Sequence, residues 1–211
     1  MPEVRVDLVL LSLRQPGLKV LLDLATSGQA WALPGCQLGN RQFLQQAAWD
    51  CLRETTGGSQ AYLEQLYTYG DPERVAGLRT ISCVYLGLLR SDGLAQGTET
   101  RRWHDPAHPP RLMHDHKAIL KYALTRLRYK LEYTAVGFEL LPQTFTLTEL
   151  QGTYEAVLGE DLDKRNFRRR ILRAGVIEPM KSYRSGEGRP ARLYRYRDDA
   201  VAEVKARRLF P

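Results

Sequence analysis

Between residues 142 and 197 two short helical runs, each with its own start and stop signals, precede a hairpin signal, and few folds accept that order. Pro142 opens the module. Thr146, with Glu149 three positions on, has the pattern of a capping box, and Gly159 ends the helix it starts. Asp163 caps a second run over 164–174, which Gly175 stops. Val176-Ile177-Glu178 then leads into extended segments over 180–184 and 191–196, around Ser185-Gly186-Glu187-Gly188. Helix, short turn, helix and hairpin together make a winged helix-turn-helix.

In such a module the second helix reads DNA. Phe167, Ile171 and Leu172 are expected in the core, which leaves Lys164, Arg165, Asn166, Arg168, Arg169 and Arg173 outside. Arginine suits bidentate contact with guanine edges and asparagine with adenine, while further cations neutralise phosphate. On the hairpin, Arg184, Arg189 and Arg192 surround glycines that let a phosphate backbone come close, and Tyr183 and Tyr194 are expected to pack the wing. Five Arg and one Lys between 164 and 173 exceed what a merely solvated face needs.

Charge is divided in the same sense. Residues 1–110 carry 10 Lys+Arg against 11 Asp+Glu, a net of −1, and residues 111–211 carry 21 against 13, a net of +8. The basic half implies a polyanion, with double-stranded DNA ahead of a membrane. No apolar run approaches the roughly 20 residues that span a bilayer. The run 8–13 follows Glu3, Arg5 and Asp7, unlike a signal peptide, so the cytoplasm is the expected location.

The N-terminal half alternates strand and helix signals. Residues 4–13 read as a buried strand, Gln15-Pro16-Gly17 as a turn, and 18–24 as its hairpin partner. Trp31-Ala32-Leu33 is a short extended piece stopped by Pro34-Gly35. Leu44, Ala47, Ala48, Cys51 and Leu52 form one apolar helical stripe, ended by Gly57-Gly58. Residues 62–69 and 80–89 read as strands, and 91–100 as a polar loop. Proline-rich 106–110 marks a boundary, after which 115–130 is an amphipathic helix with Ile119, Leu120, Ala123, Leu124 and Leu127 inward. The expected domains are therefore 1–110, a linker helix within 111–140, and 141–211. Three cysteines without C-x-x-C spacing suggest buried or neutral thiols, and His114 and His116, two apart, do not share a helix face. Neither a metal nor a cofactor is expected.

Leu33-Pro34-Gly35 and the helix after it resemble the Nudix hydrolases, whose box runs G-x5-E-x7-R-E-U-x-E-E-x-G-U. Ala47-Ala48, Leu52, Glu54, Thr56 and Gly57 match that helix in register. Cys36 replaces the first glycine, Gln42 the first glutamate, Asp50-Cys51 the Arg-Glu pair, and Thr55 the second of the paired glutamates. Of the face formed by 51, 54 and 55 only Glu54 keeps a carboxylate, too few to hold the metal cluster that activates water. Both halves together resemble the NrtR family of Nudix-related transcriptional regulators of NAD metabolism. The matching segments include Tyr69-Gly70-Asp71-Pro72, Lys130-Leu131-Glu132-Tyr133-Thr134, Phe138-Glu139-Leu140-Leu141-Pro142, Leu162-Asp163-Lys164-Arg165-Asn166-Phe167-Arg168-Arg169 and Gly188-Arg189-Pro190-Ala191-Arg192-Leu193-Tyr194.

The resemblance implies an α+β chain: a Nudix-like α/β/α sandwich that senses a small molecule, typically ADP-ribose, followed by the winged helix. It also implies a homodimer that releases its operator when the effector binds. The candidate effector residues are Arg79, Glu54, Gln42, Cys51 and Thr55, with Arg79 placed to clamp a phosphate. A runner-up reading is an active Nudix hydrolase tethered to nucleic acid; a third gives the first half a purely structural role.

Overall fold

A computed structural model describes residues 2–58, 60–90, 92, 96–185, 190–197 and 200. Its contacts divide into two compact units, which separate along the sequence between Ala123 and Leu124.

The first unit runs β1 (Glu3–Leu13), β2 (Leu18–Leu24), β3 (Trp31–Ala32), β4 (Gly35–Gln37), α1 (Leu44–Thr56), β5 (Ala61–Tyr69), β6 (Thr80–Leu89) and β7 (Arg101–His104), then the start of α2 (His116–Tyr133). One mixed sheet has the order β3-β2-β1-β6-β5, with β4 paired to β1 and β7 to β2. β1 and β6 run parallel from Glu3↔Thr80 to Ser12↔Leu89. Seven consecutive residues of β1, from Val6 to Ser12, are buried, as expected of a strand covered on both faces. Val6, Leu8 and Leu10 cluster with Cys83, Tyr85 and Leu89 against Ala47, Ala48, Cys51 and Leu52 of α1. Strand alternation sends Val9 and Leu11, also buried, to the opposite face.

The second unit holds the rest of α2, a 3-10 turn (Val136–Leu140), β8 (Phe145–Thr146), α3 (Leu147–Leu158), α4 (Lys164–Ala174), β9 (Ile177–Arg184) and β10 (Ala191–Tyr196). The strands pair in the order β8-β10-β9. Thr146 and Glu149 form the reciprocal capping box, and the Asp163 side chain accepts from the Asn166 N–H. Gly159 and Gly175 end the two helices in the left-handed conformation that glycine adopts without strain. Phe145, Leu150, Tyr154, Phe167 and Ile171 fill the core between them.

Some expectations need correction. Leu172, expected in the core, is 49% exposed, because it lies about 140° round the helix from Phe167, whereas Ile171 lies one turn on. Pro34-Gly35 does not end the extended chain, since β4 follows at once. β7 lies just beyond the segment read as a loop, β8 pairs ahead of α3, and β9 begins three residues earlier than its alternation suggests. The sequence also reads as a short terminal helix over 198–209; that segment apart from residue 200, and the wing residue Arg189, lie outside the described residues. Among the described residues no helix is long and apolar enough to cross a membrane.

Candidate functional site

The scaffold of the altered box is well built. Pairing of Asp7 with Gly35 brings β4 so close to β1 that a Cβ on Gly35 would lie 2.2 Å from Asp7 Oδ1 and 2.8 Å from the Val6 carbonyl oxygen. Glycine is needed there for space. Cys51 is 4% exposed, and burial, then its neighbour Cys36, pushes its thiol far above the ordinary range. It is a neutral core group. Gln42 Nε2 donates to Asp50 Oδ2 at 2.8 Å, while Gln42 Oε1 accepts from the Gly39 N–H at 3.3 Å. Asp50 also pairs with Arg53. Glu54 is exposed and Thr55 half-buried. The Thr55 carbonyl accepts from Arg101 Nη1 at 3.0 Å, and Arg101 forks onto Asp23 at 2.6 and 2.9 Å. A buried neutral thiol, a bonded amide and one exposed carboxylate do not fit a Mg²⁺ cluster, which takes hard oxygen donors in near-octahedral array. Among the described residues no three His, Cys, Asp or Glu side chains gather as metal ligands would.

A cleft of the first unit lies elsewhere. Of about 420 Å³, it is lined by Glu3, Arg5 and Asp7 from β1, Thr80 and Ser82 from β6, and Leu33, Arg74, His114 and His116 from loops and the start of α2. That volume falls within the roughly 300–1,000 Å³ typical of small-molecule sites. Glu3, Arg5 and Asp7 alternate with the residues that face α1, so this wall is on the opposite side of the sheet. The register Glu3↔Thr80 and Arg5↔Ser82 sets hydroxyls beside the charges. Asp7, 1% exposed, lies 3.6 Å from Arg5 Nε, and Thr80 Oγ1 is buried without a hydrogen-bond partner.

Arg74 is the best-held cation in the cleft. Its side chain is 2% exposed; Nε and Nη2 donate to Asp115 at 2.9 and 2.8 Å, and Nη1 to Ser82 Oγ at 2.6 Å. The next residue after Asp115, His116, accepts from the Leu33 N–H through Nδ1 at 3.0 Å. Burial holds its imidazole below the ordinary range, partly offset by Asp7 and Asp115. His114 has φ +48°, in the left-handed region that is uncommon for a non-glycine residue and carries a conformational cost.

Sequence reasoning missed this wall. The readable signal was charge within an apolar strand, Arg5 and Asp7 between valines and leucines. None of the five effector candidates lines the cleft; Arg79 lies in sequence between the lining residues Leu78 and Thr80, but is exposed and donates to the Gly70 carbonyl at 2.7 Å. Gln42, Cys51, Glu54 and Thr55 belong to the box loop and α1.

On the second unit, α4 exposes Lys164, Arg165, Asn166, Arg169 and Arg173. Arg169 Nη2 donates to Asn166 Oδ1 at 2.8 Å. Arg168 is half-buried and leans on α3, donating to Thr148 Oγ1 at 3.2 Å. On the hairpin, Arg184 pairs with Glu149, and Arg192 Nε donates to the Met180 carbonyl at 3.1 Å. Tyr183, expected to pack, is exposed, whereas Tyr194 is half-buried.

Residues 137–196 match the family model described as the NrtR DNA-binding winged helix domain. The ADPR responsive transcriptional repressor NtrR of Acinetobacter baylyi is 35% identical over 205 residues, spanning 92% of this chain and 82% of the relative. The crystal structure of Shewanella oneidensis NrtR complexed with a 27mer DNA superposes with a TM-score of 0.87 at 29% identity, over 98% of this chain and 99% of that one. The NUDIX domain of the same protein, complexed with ADP ribose, matches 60% of this chain and 89% of its own at 27% identity, with a TM-score of 0.51. The first unit is thus Nudix-like and the second a DNA-binding winged helix, and a relative so similar along most of both chains shows that this chain belongs to the NrtR family of transcriptional regulators.

Proposed function

We propose that the chain is a repressor that grips operator DNA through α4 and the β9–β10 wing and lets go when ADP-ribose, or a close nucleotide relative, fills the cleft. The cationic face of α4, on a helix fixed by a side-chain cap at one end and a glycine at the other, carries the reading. Arg165, Asn166 and Arg169, in the first two turns, read base edges; Lys164, Arg173, Arg184 and Arg192 contact phosphate, and Arg168 braces α4 on α3. Two copies of the chain as a homodimer set paired α4 helices about 34 Å apart, matching a near-palindromic site.

The cleft supplies what a sugar diphosphate needs: an arginine for anionic oxygen, and carboxylates and hydroxyls for sugar and base groups. Arg5 lines it as a second cation, and Arg79 is next in sequence to the lining residues Leu78 and Thr80. Catalysis is absent in this reading, because Gln42, Cys51 and Thr55 have taken the places of metal-binding carboxylates and Glu54 is left alone. Fluorescence anisotropy with DNA from upstream of its own gene tests the proposal. A specific, salt-sensitive complex that dissociates on adding ADP-ribose is the expected result, with no ADP-ribose turnover in Mg²⁺ or Mn²⁺. A complex indifferent to ADP-ribose removes the effector, and turnover that vanishes in Glu54→Gln restores the hydrolase.

A further inference from the structure

The cleft and the first turn of α2 share a single cation. Arg74 sits against the cleft with its Nε–Nη2 edge on Asp115 and its Nη1 on Ser82. Asp115 immediately precedes α2, and its carbonyl accepts from the Ile119 N–H at 3.0 Å, closing that helix's first turn. Beside it His114 is held at φ +48°. A buried guanidinium bound to one carboxylate is electrostatically satisfied, and a second anion on its remaining donors must share that charge. The strained residue next to Asp115 gives the turn a conformation to relax towards once the hold weakens.

We propose that Arg74 and Asp115 form a latch, in which an anionic group of the cleft ligand competes with Asp115 for Arg74 and occupancy loosens the start of α2. This rests on the reading of the cleft as the ADP-ribose site. It assigns Asp115 an opposing role: it lowers ligand affinity and converts binding into a change at the helix. Asn at 115 keeps one of the two acceptors that orient Arg74, puts an amide donor in place of the other and removes the competing charge, so competition gives tighter ligand binding and simple positioning weaker.

The test is calorimetric titration of the full chain with ADP-ribose, native and Asp115→Asn, alongside hydrogen exchange of the native chain with and without ligand. The latch requires Asp115→Asn to bind ADP-ribose about fivefold or more tighter, and the amides of 116–121 to exchange faster when ligand is present. Equal or weaker binding by a folded Asp115→Asn overturns the latch and leaves the ADP-ribose reading standing. If that variant does not fold, unchanged or slower exchange at 116–121 in the native chain overturns the latch instead. A native chain that does not bind ADP-ribose at all overturns both.

Discussion

Gly35 and His116 show how little room the first unit leaves around its cleft. Gly35→Ala would drive a methyl into Asp7 Oδ1 and the Val6 carbonyl oxygen, the second of which is backbone fixed by the β1–β4 pairing. A loss of about 1–3 kcal/mol is expected in chemical denaturation, and a neutral result would mean that β4 shifts freely. His116 bonds the Leu33 N–H only while Nδ1 is unprotonated. Burial makes the folded chain take up that proton less readily than the unfolded chain. Its contribution is therefore complete above the ordinary histidine value of 6.5 and is lost as pH falls from there through the lower folded value. Asp7, Asp115, His114 and Arg74 surround it and set how low that value lies. Melting curves between about pH 8 and about pH 5 should show a fall in Tm that is smaller in His116→Gln.

The elements readable from sequence are those whose ends are written locally. Thr146 with Glu149, Gly159, Asp163 and Gly175 delimit α3 and α4 within a few residues of one another, and both helices lie where those signals put them. Thr146→Ala removes half of a reciprocal cap and should destabilise the second unit by about 0.5–2 kcal/mol, read as an earlier transition in urea. The short strands β4, β7 and β8 were not legible, because their partners are remote: Gly35 pairs with Asp7, Arg101 with Asp23, Phe145 with Tyr194. The cleft was hidden for the same reason, since residues near 5, 30, 75, 80 and 115 converge on it. For α4, the divided roles are separable by measurement. Arg165→Ala should cost about 1–3 kcal/mol of operator binding and relax preference at one base pair, whereas Lys164→Ala should weaken all sequences alike. Identical profiles for the two would remove the distinction.

The two units also divide the chain's charge, the first carrying 13 Lys+Arg against 12 Asp+Glu and the second 18 against 12. With about six phosphates neutralised, operator affinity should fall about a thousandfold between about 50 mM and about 200 mM salt, and a shallow slope in a salt series would mean far fewer contacts. ADP-ribose binding, made by the nearly neutral half, should respond much less. Cys51 has a longer-term consequence. Its side chain is not a vacancy awaiting a carboxylate but part of the packing between α1 and β1. Reversion by Cys51→Glu would bury an ionised group among apolar neighbours, at a penalty of several kcal/mol. On the proposed reading of a silent box, placing carboxylates there would require the interior around position 51 to be hollowed out and rebuilt, so the packing acts as a physical ratchet that holds a sensing pocket in its present form.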